Sequence, residues 1–159
     1  MQFGAQVISV YQQWLFFSKK NITCVGYDVD ESKVKTINSG KLPIKELKEW
    51  FGFNIKNAVK KKKLFAINNY KVFFDSCFNV HFIAIPTERN GKPFFNILFN
   101  VLDKLIEIIK KNKKNKLVII IESTLTPLCS EKKILPYFKK RNLEPGRDFI
   151  FGVAPRRDW

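Results

Sequence analysis

Short apolar runs separated by stretches with helical spacing narrow the possible folds of this chain more than any other feature. Residues 22–28, 80–85, 116–121 and 149–153 are largely apolar and do not alternate with polar residues. A strand covered on both faces reads this way, whereas a strand with one wet face would alternate. Between the runs, residues 30–39 read as a helix with Asp30 as N-cap, Val34 and Ile37 as its apolar stripe, and Gly40 as its stop. Residues 45–62 carry helical spacing at Leu47, Trp50, Phe51, Ile55 and Val59, weakened in the middle by Gly52. Residues 64–67 read as a short strand and 70–78 as a helix. The clearest helix covers 94–111, with Ile97, Val101, Leu105 and Ile108 on one face. Residues 127–141 are mostly helical, and Pro136 should kink or split them. Strands alternating with helices imply an α/β fold: a mostly parallel sheet with helices on both faces. No internal repeat or long linker interrupts the 159 residues, so a single domain over 1–159 is expected.

Composition excludes several classes. An apolar share of 45% with 27% charged residues suits a globular domain with a core, not a disordered chain. The longest apolar runs fall far short of the roughly 20 residues of a membrane span, and the start lacks a signal-peptide plan. A cytoplasmic protein without a membrane partner is expected. The formal charge of +15 is concentrated at 60–63, 110–116 and 139–141. Such clusters suit either a nucleic-acid or polyanion surface or solvated helix ends. Lysine is favoured at helix C-termini, arginine is scarce, and no aromatic residues interleave the lysines in a nucleic-acid motif, so helix ends are the favoured reading. Cys24, Cys77 and Cys129 fit neither a zinc spacing nor a complete disulfide set. Cys24 and Cys77 read as buried thiols, and the single histidine, His81, as a buried strand residue. No metal site is expected.

In a parallel α/β sheet, ligands bind beyond the C-terminal ends of the strands. Here those ends read Gly26-Tyr27-Asp28-Val29-Asp30, Ile85-Pro86-Thr87-Glu88 and Glu122-Ser123-Thr124-Leu125-Thr126-Pro127. Together with Lys33, Ile37-Asn38-Ser39-Gly40 and Pro43-Ile44-Lys45-Glu46, in this order and spacing, the chain resembles the UDP-glucose/GDP-mannose dehydrogenase family from about residue 15 to 153. The resemblance implies a Rossmann-like domain, NAD as cofactor, and a parent reaction that oxidises the C6 alcohol of a nucleotide sugar to a carboxylate, in polysaccharide or envelope synthesis. It also implies cofactor contacts at Asp28, Lys33, Thr87, Ser123 and Thr124. Asp28 would accept hydrogen bonds from the adenine ribose hydroxyls and repel a 2′-phosphate. Lys33 reads equally as a contact near that ribose or as a solvated helix lysine. Thr87 reads as a contact or as an ordinary loop residue. Ser123 and Thr124 read as contacts or as the cap of the next helix.

The sequence also departs from the family. A dinucleotide fold places Gly-x-Gly-x-x-Gly after its first strand, so that the backbone approaches the pyrophosphate. Gly4 is the only glycine before Gly26. Val7, Val10, Tyr11, Trp14 and Phe17 space as one helical face, so the first strand and its glycine loop are both expected to be missing; the alternative is that residues 3–10 pair as a makeshift strand whose β-branched bulk would block the pyrophosphate. On the same resemblance, the catalytic cysteine, its lysine and asparagine partners and the sugar pocket belong to later domains. Near the end, Pro155 is followed by Arg156 where the family has Pro-Glu. The expectation is an inactive piece of a dehydrogenase with weak or no NAD binding and no catalytic residue of its own. The alternatives are a polyanion-binding module, or a subunit completed by a partner chain.

Overall fold

A computed structural model describes residues 2–4, 16–18, 20–43, 54–75, 78–112 and 116–154. The chain divides into two compact units, Met1–Asp75 and Ser76–Arg157.

The first unit holds three parallel strands in the order β3-β2-β1: β1 is Gln2–Gly4, β2 Cys24–Tyr27 and β3 Leu64–Ile67. β1 corrects the expectation that the first strand is missing. Three residues suffice, because Gln2, Phe3 and Gly4 pair in parallel register with Val25, Gly26 and Tyr27. Backbone amides along an open strand edge take any extended partner, and such a partner need not be an apolar run. Of the helical face read from Val7 to Phe17, residues 16–18 are helical and the remainder lies outside the described residues.

α1 spans Glu31–Asn38, α2 Lys56–Lys60 and α3 Tyr70–Asp75. The Asp30 side chain accepts from the Ser32 and Lys33 amides, which makes it the N-cap expected of it. Val34 and Ile37 are buried, and Gly40 closes the turn at φ +80°, a conformation that favours glycine. Of the helix read over 45–62, residues 54–62 are described, and α2 is their helical part. The described helix after β3 ends at Asp75, short of the 78 read from the sequence.

The second unit has parallel strands in the order β4-β7-β8, with β4 at Val80–Ile83, β7 at Leu117–Ile121 and β8 at Phe149–Val153. A hairpin of β5 (Glu88–Arg89) and β6 (Lys92–Pro93) follows β4. Its tip residues, Asn90 and Gly91, both have positive φ, the geometry that makes Asn-Gly a hairpin turn. α4 is Asn96–Lys111. It buries Leu98, Leu102, Leu105, Ile106 and Ile109, whereas Ile97 is exposed. The expected stripe was therefore displaced by about one residue.

A π-helical stretch, Ser130–Ile134, leads into α5, Leu135–Lys139. Pro136 falls in the first turn of α5, where its missing N–H costs least, and the wider π turn precedes it. This is the interruption the proline predicted. Lys60, Lys110, Lys111 and Lys139 occupy last turns of helices, in keeping with the helix-end reading of the basic clusters. Among the described residues, no helix is long and apolar enough to cross a membrane.

Candidate functional site

In the first unit, the end of β2 presents Asp28. It is 9% exposed, and its N–H donates to the Ile67 carbonyl at 3.2 Å, which holds it one residue past the ladder. Its Oδ1 accepts the Asp30 N–H at 2.9 Å, and Lys33 Nζ approaches its Oδ2 at 3.9 Å, beyond hydrogen-bond range. Lys33 Nζ stands 3.7 Å from Asp30 Oδ2 as well, so one ammonium serves two carboxylates. The Ser32 hydroxyl and amide, with Lys33, hold the Asp30 carboxyl below its ordinary range. Burial, reinforced by the Asp28 charge, pushes the Tyr27 hydroxyl up.

A ribose offers two adjacent hydroxyl donors, and Asp28 keeps lone pairs on both oxygens to accept them. The chain therefore suits the adenosine end of a dinucleotide. The pyrophosphate end differs. β1 ends at Gly4, and residues 5–15, which lie outside the described residues, contain no glycine.

In the second unit, Ser123 is 4% exposed and its hydroxyl joins two strand ends. It accepts the Ile85 N–H at 2.8 Å and donates to the Ile85 carbonyl at 2.8 Å. The β4–β7 pairing ends at Ile83 and Ile121, with the Glu122 N–H on the Ile83 carbonyl, and the serine side chain adds one further rung at Ile85. Beyond this rung, Thr87 Oγ1 donates to the Thr124 carbonyl at 2.5 Å, and the Phe94 amide donates to the Thr87 carbonyl at 2.7 Å. Thr87 is thus fixed from both sides, by the strand end and by the return of the hairpin. Thr124 is exposed.

Each unit thus assembles its own subset of the expected residues, Asp28 with Lys33 in one and Thr87, Ser123 and Thr124 in the other. Residues outside the expected set complete the frame. The Asn38 amide donates to the Ala66 carbonyl and accepts the Ala66 N–H, each at 2.8 Å, tying α1 to β3. The Asn90-Gly91 turn brings Phe94 back to Thr87, and Arg89 lies 4.7 Å over the Phe94 ring. The Asn-Gly pair was the available signal for the turn; no local pattern marked Asn38 beyond its place in Ile-Asn-x-Gly.

His81 and two cysteines have structural surroundings. His81 is buried, its Nε2 lies 2.8 Å from the Phe78 carbonyl, and burial pulls its pKa down to about 4. Cys24 is buried as expected, and burial pushes its thiol up to about 11. Cys129 is buried too, with its thiol also raised by burial. Cys77 lies outside the described residues.

Residues 10–157 match the model of the UDP-glucose/GDP-mannose dehydrogenase family, NAD binding domain. The chain belongs to that family. UDP-glucose 6-dehydrogenase of Campylobacter jejuni is 33% identical over 140 residues, which cover 86% of this chain and 33% of that protein. An uncharacterised protein of Methanocaldococcus jannaschii is 32% identical over 120 residues, 76% of this chain and 13% of that one. The crystal structure of a GDP-mannose dehydrogenase from Pseudomonas aeruginosa superposes with a TM-score of 0.77 at 20% identity, covering 98% of this chain and 36% of the other. That likeness establishes the Rossmann-type dehydrogenase fold. The chain spans a third or less of the length of these curated relatives, and the cofactor its family domain implies is NAD.

Proposed function

We propose that this chain is the cofactor-binding part of a cytoplasmic nucleotide-sugar 6-dehydrogenase, whose whole reaction oxidises the C6 alcohol of a UDP- or GDP-sugar to a carboxylate. The buried Asp28 carboxylate at the end of β2, with acceptor capacity for a ribose diol, carries the reading. Lys33 offsets its charge and that of Asp30. Within the second unit, Thr87 and Thr124 are the residues offered for cofactor contact, and Ser123 contributes by holding their strand ends in place. NAD, when bound, supplies the hydride acceptor.

Of the two oxidations, the second passes through a thiohemiacetal, and forming it requires a reactive thiolate. Cys24 and Cys129 are buried thiols raised in pKa, the opposite of an activated nucleophile. The family resemblance places the nucleophile and the sugar pocket in a further domain, on the same polypeptide or on a partner chain, and residues 1–159 act as a partial NAD-binding domain. The test is an amide-resolved NMR titration. NAD should shift the signals of Asp28, Thr87 and Thr124, and UDP-glucose alone should not. Incubation with NAD and UDP- or GDP-sugars should give no NADH. An NAD titration that moves none of the three amides sinks the reading.

A further inference from the structure

In a parallel sheet the crossover helices run against the strands, so helix C-termini and strand N-termini share one end. In the first unit that end lies opposite Asp28, and three stretches meet there. Asn21, at φ +62°, closes the turn before β2, with the Lys20 amide on the Phe16 and Phe17 carbonyls and the Ile22 amide on Phe17. The Lys63 carbonyl accepts the Cys24 N–H at 2.9 Å, which sets the approach to β3 beside that turn. A Cβ on Gly40 would come within 3.1 Å of Lys56 Cα, so the end of α1 abuts the start of α2. These stretches carry six exposed lysines, Lys20, Lys41, Lys56, Lys60, Lys61 and Lys62. Residues 16–23, 39–43 and 54–64 contain no Asp or Glu. Among the described residues, no carboxylate pairs with any of the six. Helix-end preference accounts for Lys60 and Lys61. It does not account for Lys56, which opens α2, where a cation opposes the helix dipole. Two apolar side chains stand in water around the same turn: Phe16 is 58% exposed and Ile22 43%.

We propose that this end of the first unit attaches to an anionic membrane surface, with the lysines against lipid phosphates and Phe16 and Ile22 in the headgroup layer. Lysines near an anionic leaflet each add to binding, and exposed apolar side chains among them add the area they bury. A nucleic acid would be better served by arginine forks, and Ile22 offers a base no stacking face. Surface attachment needs no apolar run of membrane length, so the lack of a spanning helix among the described residues does not bear on it. The proposal is independent of the NAD reading. The four residues of β2 put about 13 Å between this end and Asp28, so the surface and a cofactor do not compete.

The experiment is co-sedimentation of the whole chain with vesicles of phosphatidylcholine, alone or with about 30% phosphatidylglycerol, at about 0.1 M salt. The anionic vesicles should bind about tenfold or more tighter than the neutral ones, and less tightly as salt rises. Lys61→Ala with Lys62→Ala should weaken that binding about 25-fold, from about fivefold per lysine. Lys110→Ala with Lys111→Ala makes the same charge change in the second unit and should weaken it by less than about threefold. Ile22→Ser should cost about fivefold on vesicles and leave binding to a single-stranded oligonucleotide unchanged. No binding to anionic vesicles, equal affinity for neutral and anionic ones, or equal losses from the two lysine pairs would each overturn the proposal. So would an oligonucleotide bound more tightly than the vesicles, with Ile22→Ser affecting neither, and the face would then be a nucleic-acid surface. The comparison of the two vesicle types on the unaltered chain decides the matter even where a variant fails to fold.

Discussion

Replacing Asn38 by leucine should strip the outer edge of β3. Within the first unit, Lys63 and Ile67 direct their carbonyls to the Cys24 and Asp28 amides of the β2 segment, at 2.9 and 3.2 Å. Ala66, of opposite parity to both, therefore turns its N–H and C=O away from β2. The Asn38 side chain meets both groups at 2.8 Å, as a neighbouring strand would. Two neutral hydrogen bonds contribute about 1 kcal/mol each. Ala66 is only 3% exposed, so water replaces them imperfectly, while Asn38 itself is exposed, so some water does reach the edge. The expected loss is about 1–3 kcal/mol, or about 3–10 °C in melting temperature. Urea denaturation measures the energy, and hydrogen exchange at the Ala66 amide locates it. Asn38→Asp keeps the acceptor but places a carboxylate oxygen against the Ala66 carbonyl, and should lose a similar amount. A leucine variant within about 0.5 kcal/mol of the parent, with the Ala66 amide still protected, would refute the reasoning.

Three further outcomes can be checked directly. His81 has its folded pKa depressed from 6.5 to about 4, so the buried ring is favoured neutral; the associated stability is complete above 6.5, falls as pH drops through that window, and amounts to about 3 kcal/mol. His81→Gln should flatten that part of the stability-against-pH curve, and an unchanged slope would contradict it. Gly40→Ala should cost about 1–3 kcal/mol in thermal denaturation, because φ is +80° and the new Cβ would sit 3.1 Å from Lys56 Cα; Gly91→Ala, with open space around it, should cost less. Ser123→Ala removes both bonds to Ile85 and should cost about 1–3 kcal/mol, with faster exchange at the Ile85 amide; unchanged exchange there would show that the rung is dispensable.

Much of the fold was legible because burial on both faces leaves its mark on local sequence. β7 has no exposed residue, and its run of Leu, Val and Ile announced it. Asp30 and Gly40 marked the ends of α1 because capping and positive φ are local requirements. The α4 stripe was misassigned for a physical reason. Two adjoining apolar stripes run along the helix, through Ile97, Val101 and Ile108 and through Leu98, Leu102 and Ile109. Periodicity reports the spacing of both, while only the packing decides which faces the core. The site divides in the same way. Asp28 was visible at the end of an apolar run. The partners of Ser123 and Asn38 lie 38 and 28 residues away, and nothing local encodes them.

β1 separates two properties that a family match tends to join. Three residues are enough to pair with β2, because the ladder needs only main-chain groups in register, and so the fold tolerates almost any extended sequence there. Gripping a pyrophosphate requires more, since the turn after the strand must let an anion approach its amides, and each added Cβ obstructs that approach. Residues 5–15 contain no glycine, and β1 still pairs with β2. Restoring glycines there should raise affinity for NAD and leave affinity for adenosine unchanged. An increase common to both ligands would mean that the substitutions had acted on the fold instead of on the phosphates.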